Sequence, residues 1–352
     1  MKLGIIGLPQ SGKTTIYNAL TGLSQPTGVG GKMEVHTAVV NVPDKRVDQL
    51  STYYKPRKTT YAQVTYIDIA GLEGGGIGEL NGQLRDQIGK MDGFLAVIRA
   101  FDNDMVPHLD GSVDPLRDIQ KLEGELLLND IIQIETRLER LQIDGSKGGR
   151  NIAETEREIE VMQKLYDHIS EEKPLRELEL TGDEKKIISG YQFLTRKPLL
   201  LVINISEGQS DPELCSTIKH HKTCIQGGLE MEIAQLAPDD ALEFMQEYGI
   251  EEPSLNRMIR ESYQLMGLQS FFTVGDDEVR AWTIKTGTKA QKAAGTVHSD
   301  MERGFIRGEV IQWDDLIELR GFAEAKKVAK VQLEGKEYIM EDGDVMNVLF
   351  NI

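Results

Sequence analysis

Short apolar runs separated by polar or glycine-containing segments dominate the N-terminal part of the chain and return near residue 200. The first run, residues 2–6, leads directly into a glycine-containing loop, and residues 14–20 then have the pattern of a helix. Because helical or loop segments separate most of the later runs as well, the pattern predicts a mainly parallel α/β sheet. The later runs are Thr37–Val42, Ala62–Ile69, Phe94–Ala100, Leu199–Asn204 and Thr223–Gln226.

Between Ala100 and Leu199 the apolar residues change to helical spacing. Two such series occur, separated by a break at Gly145–Gly149. Helices with apolar stripes of this kind can pack against each other as an antiparallel pair. We therefore predict a helical hairpin, or coiled-coil arm, over residues 115–175, with a solvated outer face. The series are Leu127, Ile131, Ile134, Leu138 and Leu141, then Ile152, Ile159, Met162, Tyr166 and Ile169.

From Phe271 onward, four strand-like runs surround a helical segment at Thr288–His298. This arrangement predicts a small α+β domain at the end of the chain. A length of 352 residues also exceeds what one core usually supports. The predicted domains are a split nucleotide-binding domain (1–114 with 176–267), the arm (115–175) and the C-terminal domain (268–352). The predicted C-terminal strands are Phe272–Val274, Glu278–Ile284, Lys330–Leu333 and Val345–Asn351.

The formal net charge is −17, which disfavours non-specific binding to nucleic acid or to anionic membranes. Any contact with RNA must then be local, and a cluster of Lys326, Lys327 and Lys330 is the candidate. The longest apolar runs fall well short of the ~20 residues that span a bilayer, so we expect a cytoplasmic protein, and we expect it to be a monomer. Two cysteines, Cys215 and Cys224, form no disulfide framework, and we expect buried free thiols.

The loop after the first strand reads Gly7-Leu-Pro-Gln-Ser-Gly-Lys-Thr14, which matches the phosphate-binding pattern G-x-x-x-x-G-K-[ST]. In such a loop, backbone N–H groups surround the β-phosphate and the lysine reaches the β- and γ-phosphate oxygens. The hydroxyl after the lysine ligates Mg²⁺, a role that falls to Thr14. The predicted nucleotide-binding residues of this segment are Leu8, Pro9, Gln10, Ser11, Gly12, Lys13, Thr14 and Thr15, with Lys13 also catalytic.

The sequence Asp68-Ile-Ala-Gly71 ends the third apolar run. After a phosphate-binding loop, this D-x-x-G pattern predicts that Asp68 holds Mg²⁺ through water and that the Gly71 amide contacts the γ-phosphate. Leu72 follows, where a Ras-like hydrolase uses glutamine to orient the attacking water. Leucine cannot orient water, so slow intrinsic hydrolysis is expected.

The sequence Asn204-Ile-Ser-Glu207 ends the run Leu199–Ile203, where P-loop GTPases have Asn-Lys-x-Asp. Glutamate places its carboxylate one methylene further out than aspartate, so a guanine would be mispaired. Each unsatisfied buried donor costs about 1–3 kcal/mol, which weakens guanine preference. Asn204, Ile205 and Glu207 are the predicted base-binding residues.

These features together resemble the Obg-like ATPases of the YchF type, over nearly the whole chain. Beyond the phosphate loop, the resemblance rests on Val42–Asp48, Val64–Leu72, Arg137–Leu141, Glu278–Ile284, Gly304–Val310 and Asp342–Met346. It implies a Ras-like P-loop NTPase domain with an inserted coiled-coil arm and a C-terminal ubiquitin-like (β-grasp, TGS) domain. It also implies ATP as the preferred substrate, through Asn204 and Glu207, and the ribosome or ribosomal RNA as partner.

The chain departs from the family pattern in the loop 27–34, where Lys32 aligns with the usual threonine, and at 225–228, which borders the base. Three functions remain open. The first is a slow ATPase switch that depends on Mg²⁺, the second is a GTP-using relative, and the third is a nucleotide-gated adaptor with negligible catalysis. Competition between labelled ATP and GTP separates the first two, and single-turnover assays with ribosomes separate both from the third.

Overall fold

A computed structural model describes residues 1–23, 35–69, 82–146, 152–209 and 221–351. The strands are β1 Lys2–Ile6, β2 Val35–Asn41, β3 Lys58–Thr60, β4 Gln63–Ile69, β5 Gly93–Ala100, β6 Leu199–Ile205, β7 Lys222–Ile225, β8 Leu268–Thr273, β9 Glu278–Lys285, β10 Phe305–Gln312, β11 Gln332–Glu334 and β12 Asp344–Phe350. The helices are α1 Lys13–Thr21, α2 Lys45–Tyr54, α3 Gly82–Gly89, α4 Pro115–Ser146, α5 Ile152–Ser170, α6 Gly182–Ile187, α7 Gly227–Gln235, α8 Pro238–Glu247, α9 Ser254–Leu265, α10 Ala290–Val297, α11 Ser299–Arg303, α12 Trp313–Glu318 and α13 Phe322–Lys327.

Contacts between Cα atoms divide the chain into two compact units. The first contains Met1–Ala38 and Thr65–Leu255, and the second contains Val39–Val64 and Asn256–Ile352. The segment 39–64 therefore groups with the C-terminal part of the chain, whereas the sequence pattern assigned it to the nucleotide-binding domain. Its strands and helix form hydrogen bonds with residues more than two hundred positions away, which no local pattern can indicate.

The sheet of the first unit has the strand order β2-β4-β1-β5-β6-β7. The pairs β1·β4, β1·β5, β5·β6 and β6·β7 are all parallel, as the alternation of apolar runs and helices predicted. Every residue of β6 is buried, as expected for a central parallel strand covered on both faces. All six strands predicted here are present, with ends shifted by one or two residues, which is the usual scatter of such boundaries.

The predicted arm is formed by α4 and α5, which pack against each other. The first apolar series faces this contact: Ile134 and Leu141 are fully buried, and Ile131 and Leu138 pack against the same cluster. In the second series Met162 and Ile169 are buried, but Ile152 is 69% exposed, so its assignment to the seam was wrong. Although α4 has 32 residues, neither it nor any other helix within the described ranges is apolar enough to cross a membrane.

The second unit contains a sheet with the order β11-β10-β12-β8-β9-β3. Its central pair, β12·β8, is parallel, while β8·β9 and β10·β12 are antiparallel. Helix α10 covers one face through Ala290, Ala293 and Ala294, which join Phe271 and Met346 in the core. The sequence pattern did not predict strand β10. It also did not predict β3, which has only three residues and pairs with β9 far along the chain.

Arg46 provides one of the contacts that join residues 39–64 to the second unit. Its guanidinium donates to the Asp44 carboxylate, which also caps the N-terminus of α2, and to Asp342 at 2.8 Å. It lies 5.1 Å from the centroid of the Phe272 ring, and Asp342 also accepts from the Ser270 N–H. Two of the segments that carried the family resemblance, Val42–Asp48 and Asp342–Met346, are thus joined directly through Arg46 and Asp342.

Asp344 is a buried carboxyl in the same unit, 1% exposed. Burial raises its pKa to about 6, although Gln312 Nε2, the Tyr338 hydroxyl and the Glu341 N–H all donate to it. The folded state therefore holds the proton more tightly than the unfolded state. Below the unfolded pKa this favourable contribution is complete, and it is lost as the pH rises through about 6.

We expect Asp344→Asn to remove this pH dependence. As the pH rises from roughly 4 to 7, the parent should lose about 2–3 kcal/mol of unfolding free energy relative to the variant. Urea denaturation across that range measures it. Asp314→Asn, at an exposed aspartate of α12, is the control and should follow the parent. Parallel curves for the parent and Asp344→Asn would contradict the prediction.

The structure overturns the expectation for one of the two cysteines. Cys224, buried in β7, is disulfide-bonded, so the expectation of free thiols was wrong for this residue. Cys215 lies outside the described residues.

The lysines of the C-terminal cluster each face a carboxylate: Lys326 is 2.6 Å from Glu309, Lys327 is 2.6 Å from Glu324 and Lys330 is 3.1 Å from Asp315.

Candidate nucleotide-binding site

The loop Gly7–Gly12 connects the buried central strand β1 to α1. Leu3, Ile5 and Ile6 anchor β1 in the core, and Ile16 and Leu20 anchor α1. The backbone of Gly12 has φ 95°, and a Cβ atom there would lie 2.3 Å from Asn204 Nδ2, so only glycine fits this position. The junction therefore places backbone N–H groups and the N-terminus of α1 at the carboxyl edge of the sheet, where anions bind favourably.

Lys13 begins α1 and is 5% exposed. Its ammonium group donates to the carbonyl oxygens of Gly7, at 3.1 Å, and Leu8, at 2.9 Å. These bonds hold the positive charge inside the loop, within reach of a phosphate bound there.

Thr14 and Asp68, the two predicted metal ligands, lie next to each other. The Thr14 hydroxyl donates to Asp68 Oδ2 at 3.3 Å, although the residues are 54 positions apart. Parallel pairing of β1 with β4 sets Ile5 opposite Asp68 and so places the carboxylate beside the loop. One hydroxyl and one carboxylate oxygen at a phosphate-binding loop are the hard oxygen donors that Mg²⁺ prefers, so this donor set fits the ion.

A cavity of about 720 Å³ opens at this edge of the sheet. Three segments line it: the phosphate loop with the start of α1, the segment after β5, and the end of β6 with the start of α7. The lining residues are Gln10, Gly12, Lys13, Thr14, Thr15, Phe101, Asp102, Asn103, Met105, Val106, Asn204, Ile205, Ser206, Glu207, Gly228 and Met231. A volume of this size is typical of small-ligand sites.

Asn204 connects the phosphate loop to the loop before α7. Its Nδ2 donates to the Ser11 carbonyl oxygen at 3.1 Å, and its Oδ1 accepts from the Gly227 N–H at 3.0 Å. The asparagine is 4% exposed, so its amide holds the two loops at a fixed spacing. Glu207 is exposed at the rim of the cavity, beside Gly228.

The remaining predicted residues are distributed as follows. Ser11 is buried behind the loop, whereas Leu8 and Pro9 line a neighbouring cavity of about 400 Å³ together with His108. Gln10 lines the main cavity with φ 62°, an unusual backbone conformation for a residue with a side chain. Gly71 and Leu72 lie outside the described residues, as does the loop 27–34.

The wall formed by Phe101–Val106 was missed by the sequence analysis. It follows β5 directly, and residues at the carboxyl end of a parallel strand commonly line ligand sites, so its position was the available signal. His108 holds the following segment against α4: its Nε2 lies 2.9 Å from Asp118 Oδ2, and both side chains are largely buried.

A parallel sheet whose first strand leads into this loop and helix defines a P-loop nucleoside-triphosphatase. Comparison with protein families agrees: the model described as 50S ribosome-binding GTPase matches residues 2–134. A second model, YchF-GTPase_C, described as a protein of unknown function, matches residues 268–351. The chain belongs to the YchF family.

Relatives match over the full length. "Ribosome-binding ATPase YchF" of Pasteurella multocida is 40% identical over 100% of this chain and 99% of its own length. The protein of the same name from Bacillus subtilis is 37% identical over 99% of each. The structure of the Schizosaccharomyces pombe YchF GTPase matches with a TM-score of 0.86, at 31% identity, over 99% of this chain and 97% of that one. The family resemblance and the predicted fold class are thus confirmed.

Proposed function

We propose that this chain binds ATP with Mg²⁺, hydrolyses it slowly and acts as a nucleotide-controlled switch on the ribosome. The observation that carries the proposal is the contact of Thr14 with Asp68 at a nucleotide-sized cavity that Lys13, Asn204 and Glu207 also line. The names of the relatives from Pasteurella multocida and Bacillus subtilis, both ribosome-binding ATPases, support ATP and the ribosome as ligands.

In this proposal the N–H groups of the loop Gly7–Gly12 and the Lys13 ammonium hold the phosphates. Thr14 and Asp68 would hold the magnesium ion, which when bound neutralises charge on the phosphates. Gly71 contributes its amide to the γ-phosphate, and Leu72 offers no polar group to orient water, so turnover is slow. A ribosome partner would place the protein in the cytoplasm.

Base selection in this proposal depends on Glu207. Asn204, Ile205, Ser206 and Glu207 all line the cavity. The Asn204 amide also joins two loops, because it donates to the Ser11 carbonyl oxygen and accepts from the Gly227 N–H. A glutamate at the rim places its carboxylate further out than the aspartate that pairs with guanine. This geometry supports adenine over guanine.

GTP is the second candidate, because the Schizosaccharomyces pombe relative is described as a GTPase. Equilibrium competition of unlabelled ATP and GTP against a labelled nucleotide decides between them. We expect ATP to compete better in the parent, and Glu207→Asp to move the preference toward GTP. Glu243→Asp, at an exposed glutamate of α8, is the control and should leave it unchanged. GTP competing as well as ATP in the parent would rule out the adenine assignment.

Hydrolysis is tested separately from binding. Single-turnover assays with and without ribosomes measure release of the γ-phosphate. Slow release that ribosomes accelerate supports the switch. Tight binding without release under either condition would favour a nucleotide-gated adaptor and overturn the hydrolase.

A further inference from the structure

Arg99 is a buried arginine next to the nucleotide cavity. It lies near the end of β5, is 2% exposed, and within the described part of the chain forms no ion pair with a carboxylate. Its Nη1 is buried and has no hydrogen-bond partner among the described residues. A buried guanidinium without a counter-charge lowers stability compared with an apolar side chain of similar size.

The contacts of Arg99 go instead to the wall of the cavity. Its Nε donates to the Phe101 carbonyl oxygen at 3.0 Å, and its Nη2 donates to the Val106 carbonyl oxygen at 2.7 Å. The guanidinium also lies 4.7 Å from the centroid of the Phe101 ring. One rigid, planar group therefore fixes both ends of the segment Phe101–Val106. Lysine could not do the same, because its single nitrogen lacks the fork of donors.

The fixed segment and the base motif line the same cavity. Phe101 and Val106 contribute to its wall together with Ile205 and Glu207. Between its ends the segment is a turn, in which the Val106 N–H donates to the Asn103 carbonyl oxygen at 3.1 Å. The width available to a base thus depends on where Arg99 holds this turn, although the cavity is lined by the turn and not by Arg99 itself.

We propose that Arg99 is a positioning residue for base selection: it holds the Phe101–Val106 wall at the spacing that distinguishes adenine from guanine nucleotides. The inference rests on the proposed function, because it requires a nucleotide base in this cavity. A residue that carries a stability cost, and that directs its bonds to the backbone of a binding wall, is better explained by the site than by the fold.

The test measures affinities for ATP and GTP in Arg99→Met and Arg99→Lys. We expect Arg99→Met to fold, to lose about tenfold or more in ATP affinity, and to lose much of the ATP-over-GTP preference. The rate at saturating ATP should change little, so the effect appears in KM and not in kcat. Arg99→Lys keeps the positive charge but lacks the fork of donors, so its ATP affinity and its ATP-over-GTP preference should lie between those of the parent and of Arg99→Met. If Arg99→Met does not fold, Arg99→Lys provides the test. Arg137→Met, which removes an arginine of the arm, is the matched control.

A double-mutant cycle with Phe101→Ala tests whether Arg99 acts through the wall. Phe101→Ala removes the ring that lines the cavity but keeps the backbone bonds to Arg99, so in that background Arg99→Met should change the ATP-to-GTP ratio less than it does in the parent. An equal loss of affinity for both nucleotides, or an unchanged ratio in both Arg99 variants, would overturn the inference while leaving the proposed function standing. A parent protein that binds neither nucleotide would instead refute the proposed function.

Discussion

Lys13→Ala is expected to abolish detectable ATP binding and turnover. The Lys13 ammonium is buried inside the phosphate loop and is bonded to the carbonyl oxygens of Gly7 and Leu8. Charge-assisted bonds from such a group to two phosphates contribute about 3–5 kcal/mol, so affinity should fall about 100- to 5000-fold. Equilibrium binding of a fluorescent ATP analogue and a phosphate-release assay measure the two effects.

The fold should survive this substitution, because Lys13→Ala removes a buried charge and leaves the apolar anchors of α1, Ile16 and Leu20, in place. Thermal denaturation of the variant without nucleotide should therefore resemble that of the parent. Lys2→Ala, at an exposed lysine at the other end of β1, is the matched control and should bind ATP normally. A folded Lys13→Ala protein that hydrolysed ATP at the parent rate would refute the assignment of this loop.

Asp130→Ala should produce the largest loss of stability. Asp130 lies on α4 and is fully buried, and its carboxylate accepts from the Leu194 N–H at 2.8 Å and from the Thr195 N–H and hydroxyl, both at 2.7 Å. Leu194 belongs to the hydrophobic core formed with residues of the parallel sheet, and Phe193 belongs to the hydrophobic core of the arm. The carboxylate thus joins the arm to the segment that leads into β6.

Removal of this carboxylate leaves two backbone N–H groups buried without acceptors, at a cost of about 1–3 kcal/mol each. We expect Asp130→Ala to lower the free energy of unfolding by about 3–5 kcal/mol, and Asp130→Asn to lower it by less because one acceptor oxygen remains. Urea denaturation followed by far-UV circular dichroism measures the change. Asp183→Ala, at an aspartate whose side chain is 80% exposed, should stay within about 0.5 kcal/mol. Equal effects of Asp130→Ala and Asp183→Ala would contradict the role given to Asp130.

Local patterns were sufficient for much of the fold. The apolar runs predicted every strand of the first sheet. For the central strands β1, β5 and β6, the reason is that a parallel strand buried on both faces is apolar along its length. Helical spacing predicted the arm, except at Ile152, where the pattern continued past the buried contact into an exposed turn of helix. Strand β3 could not be found this way, since Lys58-Thr-Thr60 is short and polar and its pairing partner is β9.

The site likewise contains residues that the sequence predicted and residues that only the structure placed beside the cavity. The phosphate-loop motif from Gly7 to Thr14 and the position of Asp68 could be predicted from the sequence, because each depends on the order of residues within a short segment. For Asn204 the motif predicts a base ligand, and the folded chain adds that its amide joins the Ser11 and Gly227 backbones. Phe101–Val106 and Arg99 carry no motif, and only their place beside the cavity indicates a role.

By itself, the sequence determined the phosphate loop, the mainly parallel sheet, the inserted arm and the family, since these follow from residue order and from periodicity over a few turns or strands. Tertiary structure alone decided that residues 39–64 group with the C-terminal unit and that a buried arginine supports one wall of the cavity. The first depends on contacts with residues more than two hundred positions away, and the second on the burial of the Arg99 side chain beside the cavity. Both are set by the packing of the whole chain.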